Sequence, residues 1–355
     1  MIPLYKPYVP ADLPELNKIL RSGQLAYGKW GRALEQAVSE FTGSYYVLST
    51  NSYNSAMLLV LATLNIGHTD EVIASPMSCL ASNQPFVTQG ANVVWADIDP
   101  RRGTLDPSDV ERKITDKTKA IFHNHHCGYP GYIDEINAIG KEHGILVIDD
   151  SIEAFGSSYK NNLIGNVGTP VTVFSFETVR LPNCIMGGAL IFEDKAFYEK
   201  AMRIRDYGIN REKFRDLQGE INHDCDIVLP GFGIKPTEIN SYIGVEQMKN
   251  LPDLLAQQRN NAKQWMSWIE QNKKEAVTLN TLDIEPNYWV FGTLTDDKNS
   301  QISQMRSLGY YASGVHLNNN RYSVFGHQGP LPGVEDFYSR FVAWPCGWWI
   351  DNLYQ

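Results

Sequence analysis

Between residues 45 and 195, short apolar runs rich in β-formers alternate with stretches of helical period. Strands are expected at 45–48, 71–74, 92–96, 120–123, 145–148, 172–176 and 189–192. Several are nearly continuous apolar runs, as strands buried on both faces must be. Helices are expected between them at 52–64, 82–88, 132–143 and 195–204. This alternation constrains the chain to an α/β fold with a mainly parallel, doubly wound sheet. In such sheets a ligand binds beyond the carboxyl ends of the strands. Ser52, His125, Asp150 and Ser175 all fall there.

The chain has 355 residues. That is more than one hydrophobic core usually serves, so two lobes are expected. The pattern turns long and helical at 237–272, and short strands, a helix and loops follow from about 275. The division expected is a large domain at 1–245, N-terminal arm included, and a small C-terminal α/β domain at 246–355. Trp344, Trp348, Trp349 and Tyr354 make the tail aromatic, and packing is the expected role.

Formal net charge is -9. An acidic surface offers no general attraction to nucleic-acid phosphates, so no nucleic-acid partner is expected. The five cysteines lie far apart and form no CxxC pair. Reduced thiols in a cytoplasmic protein fit that spacing better than a disulfide scaffold. The first residues lack the pattern of a signal peptide, and no apolar run is long enough to span a membrane.

His123, His125, His126 and Cys127 form the densest polar cluster. Strand alternation sends His123 and His125 to the face opposite Asn124 and His126. No second ligand cluster has a zinc spacing, so no metal is expected.

The order of motifs resembles the DegT/DnrJ/StrS-type sugar aminotransferases. The carriers include Gly67-His68-Thr69-Asp70-Glu71-Val72-Ile73, Val147-Ile148-Asp149-Asp150-Ser151-Ile152-Glu153-Ala154, Phe174-Ser175-Phe176-Glu177-Thr178-Val179-Arg180, and Ile243-Gly244-Val245-Glu246-Gln247-Met248. They span nearly the whole chain in the family's order. The resemblance implies a type I PLP-transferase fold, a homodimer and a nucleotide-linked sugar as substrate. It makes Asp150 the aspartate facing the pyridine nitrogen of pyridoxal phosphate (PLP), and Ser175 a phosphate contact.

Other cofactor positions depart from the family. Tyr53-Asn54 replaces a Gly-Thr pair beside the phosphate, after Ser52. Cys79 replaces the aromatic that stacks on the ring, and Glu153 replaces a glutamine. Arg180 stands where the resemblance places the Schiff-base lysine. A guanidinium stays protonated and cannot form that bond. PLP or its pyridoxamine form (PMP) is therefore implied by the family and left unassured by this chain.

Arg180 is read as an anion clamp in the pocket, or as an ion-pair partner of Glu153 or Asp150. Glu153 is read as an acid or base with a raised pKa, or as a carboxylate paired with Arg180. His125 matches a family histidine near the cofactor ring and is a candidate acid–base group. His316 and Lys235 are expected on the substrate side, Lys235 across the dimer interface. The leading expectation is an enzyme that modifies a nucleotide-linked sugar without a lysine aldimine. It would be assisted by PMP, or cofactor-free with Glu153, His125 and Arg180 in catalysis. The alternatives are a Lys-to-Arg variant of an ordinary PLP aminotransferase, and a non-catalytic partner subunit.

Overall fold

The computed structural model describes residues 1–272, 275–351 and 353, so Tyr354 lies outside the described residues. All seven expected strands form one sheet. They are β1 (Tyr46–Thr50), β2 (Glu71–Ala74), β3 (Asn92–Trp95), β4 (Thr118–Asn124), β5 (Leu146–Ser151), β6 (Val171–Ser175) and β7 (Gly188–Phe192). Their order across the sheet is β1-β7-β6-β5-β4-β2-β3. Only β7 runs antiparallel to its neighbours.

Strand alternation builds a core on each face. Val72, Ala74, Ala120, Phe122, Val173 and Leu190 turn to one side. Ile73, Ile121, Val147, Phe174 and Ala189 turn to the other. The first face takes α2 (Tyr53–Leu64) and α3 (Leu80–Thr88), through residues such as Ala56, Val60 and Phe86. The second takes Leu34 and Val38 of α1 (Lys29–Thr42) and Ile136 of α4 (Ile133–His143). Helix α5 (Lys195–Ile204) returns to the first face through Ala201 and Ile204.

Helix α2 matters most for the site. Ser52 is its N-cap and accepts from the Ser55 amide at 3.1 Å. A run of apolar residues buries the helix, and Asn65 closes it in the left-handed region at φ 55°. These are the usual start and stop devices of a helix.

Helix α6 (Glu238–Gln271) is a single long helix. It runs unbroken through residues 245 and 246, where the division between domains is expected. A small antiparallel sheet follows, of β8 (Val277–Thr278), β9 (Phe291–Leu294) and β10 (Phe341–Trp344). Trp344 is buried there against Trp265 of α6 and Phe291 of β9. Trp348 and Trp349 pack edge to face on each other. No helix among the described residues is long and apolar enough to cross a membrane.

Candidate active site

The carboxyl ends of β4, β5 and β6 converge, and β5 sends its two aspartates in opposite directions. Register places His123 beside Asp149 and Asn124 beside Asp150. Asp149 therefore joins the histidines of one face. His123 Nδ1 lies 3.3 Å and His125 Nε2 3.5 Å from Asp149 Oδ1, and all three side chains are sealed from solvent. His125 is thus turned away from the expected cofactor-ring position. The pleat of β4 carries it to the opposite face, where its Nδ1 accepts from the Gly131 amide at 3.2 Å.

Asp150 points to the other face and meets Tyr53. The Tyr53 hydroxyl donates to Asp150 Oδ1 at 2.8 Å, while Oδ2 is buried without a partner. Burial lifts the Asp150 carboxyl from 3.8 to about 6, against the hydrogen bonds of Ser82 and Tyr53 that lower it.

Glu153 is the hub of the second cluster. Its Oε2 accepts from the Cys127 amide at 2.7 Å. Its Oε1 lies 2.8 Å from His316 Nε2 and accepts from Arg180 Nη1 at 3.4 Å. Burial alone would raise this carboxyl, but His316 and Arg180 outweigh it and bring it down to about 2. Glu153 is therefore an anion held by Arg180 and the His316 ring, and its pKa is lowered, not raised. Arg180 takes its ion-pair role on Glu153, and its guanidinium lies 4.5 Å from the centre of the Trp289 ring.

The remaining candidates are dispersed. Ser175 is buried, and its hydroxyl accepts from the Glu177 amide at 3.3 Å. Ser52 spends its side chain on the cap of α2. Asn54 is exposed, and Cys79 is half-buried with its thiol pushed up by burial and by the charge of Glu153. Lys235 pairs with Asp206 at 2.9 Å, beside Tyr27. Sequence reasoning did not single out Asp149, Glu177 or Trp289. The ring of Tyr53 was visible only as a departure from glycine.

Two groups bring three ligand-type atoms within 4.8 Å: His123, His125 and Asp149, and Cys127, Glu153 and His316. In the first, the Gly131 N–H occupies His125 Nδ1, so the neutral ring carries its proton on Nε2, the atom facing Asp149. In the second, the Arg180 cation already lies against Glu153.

The parallel sheet with one reversed strand, and ligand-competent groups at its carboxyl edge, define the type I PLP-transferase architecture. The chain belongs to the DegT/DnrJ/EryC1/StrS aminotransferase family, whose model matches residues 9–347. It is similar to AtS13 from Actinomadura melliaura, with 30% identity, a TM-score of 0.88, and coverage of 99% of this chain and 95% of that one. It is also similar to the sugar aminotransferase CalS13 from Micromonospora echinospora, with 26% identity, a TM-score of 0.90, and coverage of 99% and 96%. Spr1654 from Streptococcus pneumoniae, solved in a PMP form, shares the fold at 22% identity and a TM-score of 0.88, with coverage of 99% and 96%.

The residues present do not fit PLP or PMP. The carboxylate that would face a pyridine nitrogen already takes the Tyr53 hydroxyl, and its other oxygen is sealed.

Proposed function

We propose that the chain modifies a nucleotide-linked sugar by acid–base chemistry, with no lysine Schiff base and no pyridoxal cofactor. The observation that carries this reading is the Glu153–His316 pair at 2.8 Å. Glu153 is buried and ionised, while the His316 side chain keeps 15% of its surface exposed. A buried carboxylate that holds one imidazole nitrogen orients the ring and stabilises the positive charge that develops when the ring takes a proton. No residue among those described bonds the other nitrogen, Nδ1, so it is free to take a proton from a sugar and return it. Arg180 acts here as a fixed positive charge, because its pKa is too high for a base.

Membership of a sugar aminotransferase family supports the substrate class. The Helicobacter pylori protein PseC, an aminotransferase of pseudoaminic acid biosynthesis, is a structural relative at 24% identity. The same reading keeps a homodimer, a cytoplasmic setting and two domains. Net charge of -9 supports the lack of a nucleic-acid partner.

The test is to incubate the chain with a panel of nucleotide-linked keto sugars in deuterated water. Deuterium incorporation is followed by mass spectrometry for wild type, His316→Asn and Glu153→Gln. Exchange in wild type and its loss in His316→Asn is the expected result. Equal exchange in wild type and His316→Asn, or none with any sugar, overturns the reading.

A further inference from the structure

The site that relatives use for a cofactor is filled here by the chain itself, at each of the cofactor's three anchoring points. The first is the ring nitrogen. Asp150 is the residue expected to face it, and the atom that reaches Asp150 Oδ1 is the Tyr53 hydroxyl, at 2.8 Å. A phenol is a six-membered ring with one donor on its rim, so it offers the aspartate what a pyridinium N–H would. Tyr53 is 2% exposed and occupies a position where the resemblance expects glycine. A side chain has been added where the family has none.

The second point is the phosphate. The start of α2 is a natural anion site, because its first N–H groups have no partner in the helix. Two of those groups are already answered. Glu177 Oε1 accepts from the Tyr53 amide at 3.3 Å, and Ser52 Oγ accepts from the Ser55 amide at 3.1 Å. Glu177 thus brings an anion of the protein's own to the place a phosphate would use. A carboxylate there repels a second anion.

The third point is the aldehyde carbon. Arg180 stands where the resemblance expects the lysine, and its side chain is turned onto Glu153 and the Trp289 ring. Tyr5 of the N-terminal arm stacks on that tryptophan, with ring centroids 5.3 Å apart and planes 7° from parallel.

We infer that Tyr53, Glu177 and Arg180 together replace the cofactor, so that the native chain binds neither PLP nor PMP. The excluded ligand class is a pyridine ring bearing a phosphate. The inference deepens the cofactor-free half of the proposed function and rests on that half, but not on the acid–base step, since a chain without cofactor could still lack turnover.

The experiment compares retention of PLP and of PMP by wild type, Tyr53→Gly, and the triple variant Tyr53→Gly, Glu177→Gln, Arg180→Lys. Each protein is incubated with cofactor, dialysed, and read by absorbance and intact mass after borohydride. Wild type is expected to retain none and to show no shift in melting temperature with either cofactor. Tyr53→Gly is expected to gain a positive shift. The triple variant is expected to gain a covalent adduct at position 180 after borohydride. Retention of one cofactor per wild-type chain overturns the inference, even if sugar exchange is observed. So does a folded triple variant, judged by circular dichroism, that still retains none. If Tyr53→Gly does not fold, Tyr53→Phe substitutes for it: it keeps the ring, and continued exclusion with no retained cofactor is expected. Retention by Tyr53→Phe would show that the ring is not the barrier and would also overturn the inference.

Discussion

His316 Nε2 lies 2.8 Å from Glu153 Oε1, a contact between residues 163 positions apart in the chain. It joins the loop region before α7 (Pro332–Arg340) to the end of β5 in the large sheet. Glu153 meets a partly exposed imidazole on one side and forms an ion pair with Arg180 on the other. Under the proposed function the same carboxylate would serve both chemistry and stability.

Removing the charge of Glu153 should expose that double role. Glu153→Gln leaves the Arg180 guanidinium buried without its counter-charge, at a cost of about 3 kcal/mol. Urea denaturation measures this. Adding Arg180→Met should recover part of the loss, and a double variant no more stable than Glu153→Gln would argue that the pair is not coupled.

Tyr53→Phe deletes only the hydroxyl on Asp150. It leaves Oδ1 with only the longer bond from the Ile152 amide, at 3.3 Å, on a carboxylate whose other oxygen is already an orphan, and should cost ~1–3 kcal/mol. Asp150→Asn in the same background should give much of it back, since a neutral amide needs no counter-charge. Denaturation midpoints of the two variants decide it.

The two carboxylates at the end of β5 should tilt stability in opposite directions with pH. Asp150 is raised from 3.8 to about 6, so between these values the native state holds a proton that the unfolded chain has released. Its contribution to stability falls as pH rises through that window. Glu153 is lowered from 4.5 to about 2, so its contribution is full above 4.5 and is lost as pH falls toward 2. Chemical denaturation across this range should show a slope between pH 4 and 6 that Asp150→Asn flattens. An unchanged slope in that variant would assign the effect to another group.

His125 belongs structurally with Asp149 and His123, sealed beneath the sheet. His125→Asn should therefore lower the melting temperature and leave sugar exchange per folded molecule within about twofold of wild type, far less than the ~10²-fold or greater loss expected on removing a general base. A large loss of exchange without loss of stability would return His125 to the reacting centre.

Gly128 holds the loop that presents Cys127 to Glu153. Its φ is +89°, and a Cβ there would lie 2.2 Å from Asn287 Oδ1. Asn287 is fixed by bonds to the carbonyls of Glu153 and Phe155 at 2.7 and 3.0 Å. Gly128→Ala combines a strained backbone with overpacking and should destabilise by at least ~2 kcal/mol, measured by thermal unfolding.

Most of the sheet was legible in the chain. The apolar runs at 71–74 and 189–192 match β2 and β7 to within a residue, because a buried strand must be apolar over its length. Helix α5 was legible to the residue, since its period and its Asp194 cap are local signals. Site residues were legible as types but less so as partners. Alternation correctly split His123 and His125 from His126, yet it could not say that Asp149 of the next strand waits on one side and Glu153 on the other.

What the sequence alone determined was the architecture and the family, because periodicity, caps and motif order are written within short windows. What only the tertiary structure decided was the pairing: Tyr53 with Asp150 across 97 residues, and Arg180 and His316 with one carboxylate. Those contacts depend on strand order and sheet register, which bring distant groups within 2.8 to 3.4 Å of each other, and no local pattern encodes which distant group will arrive.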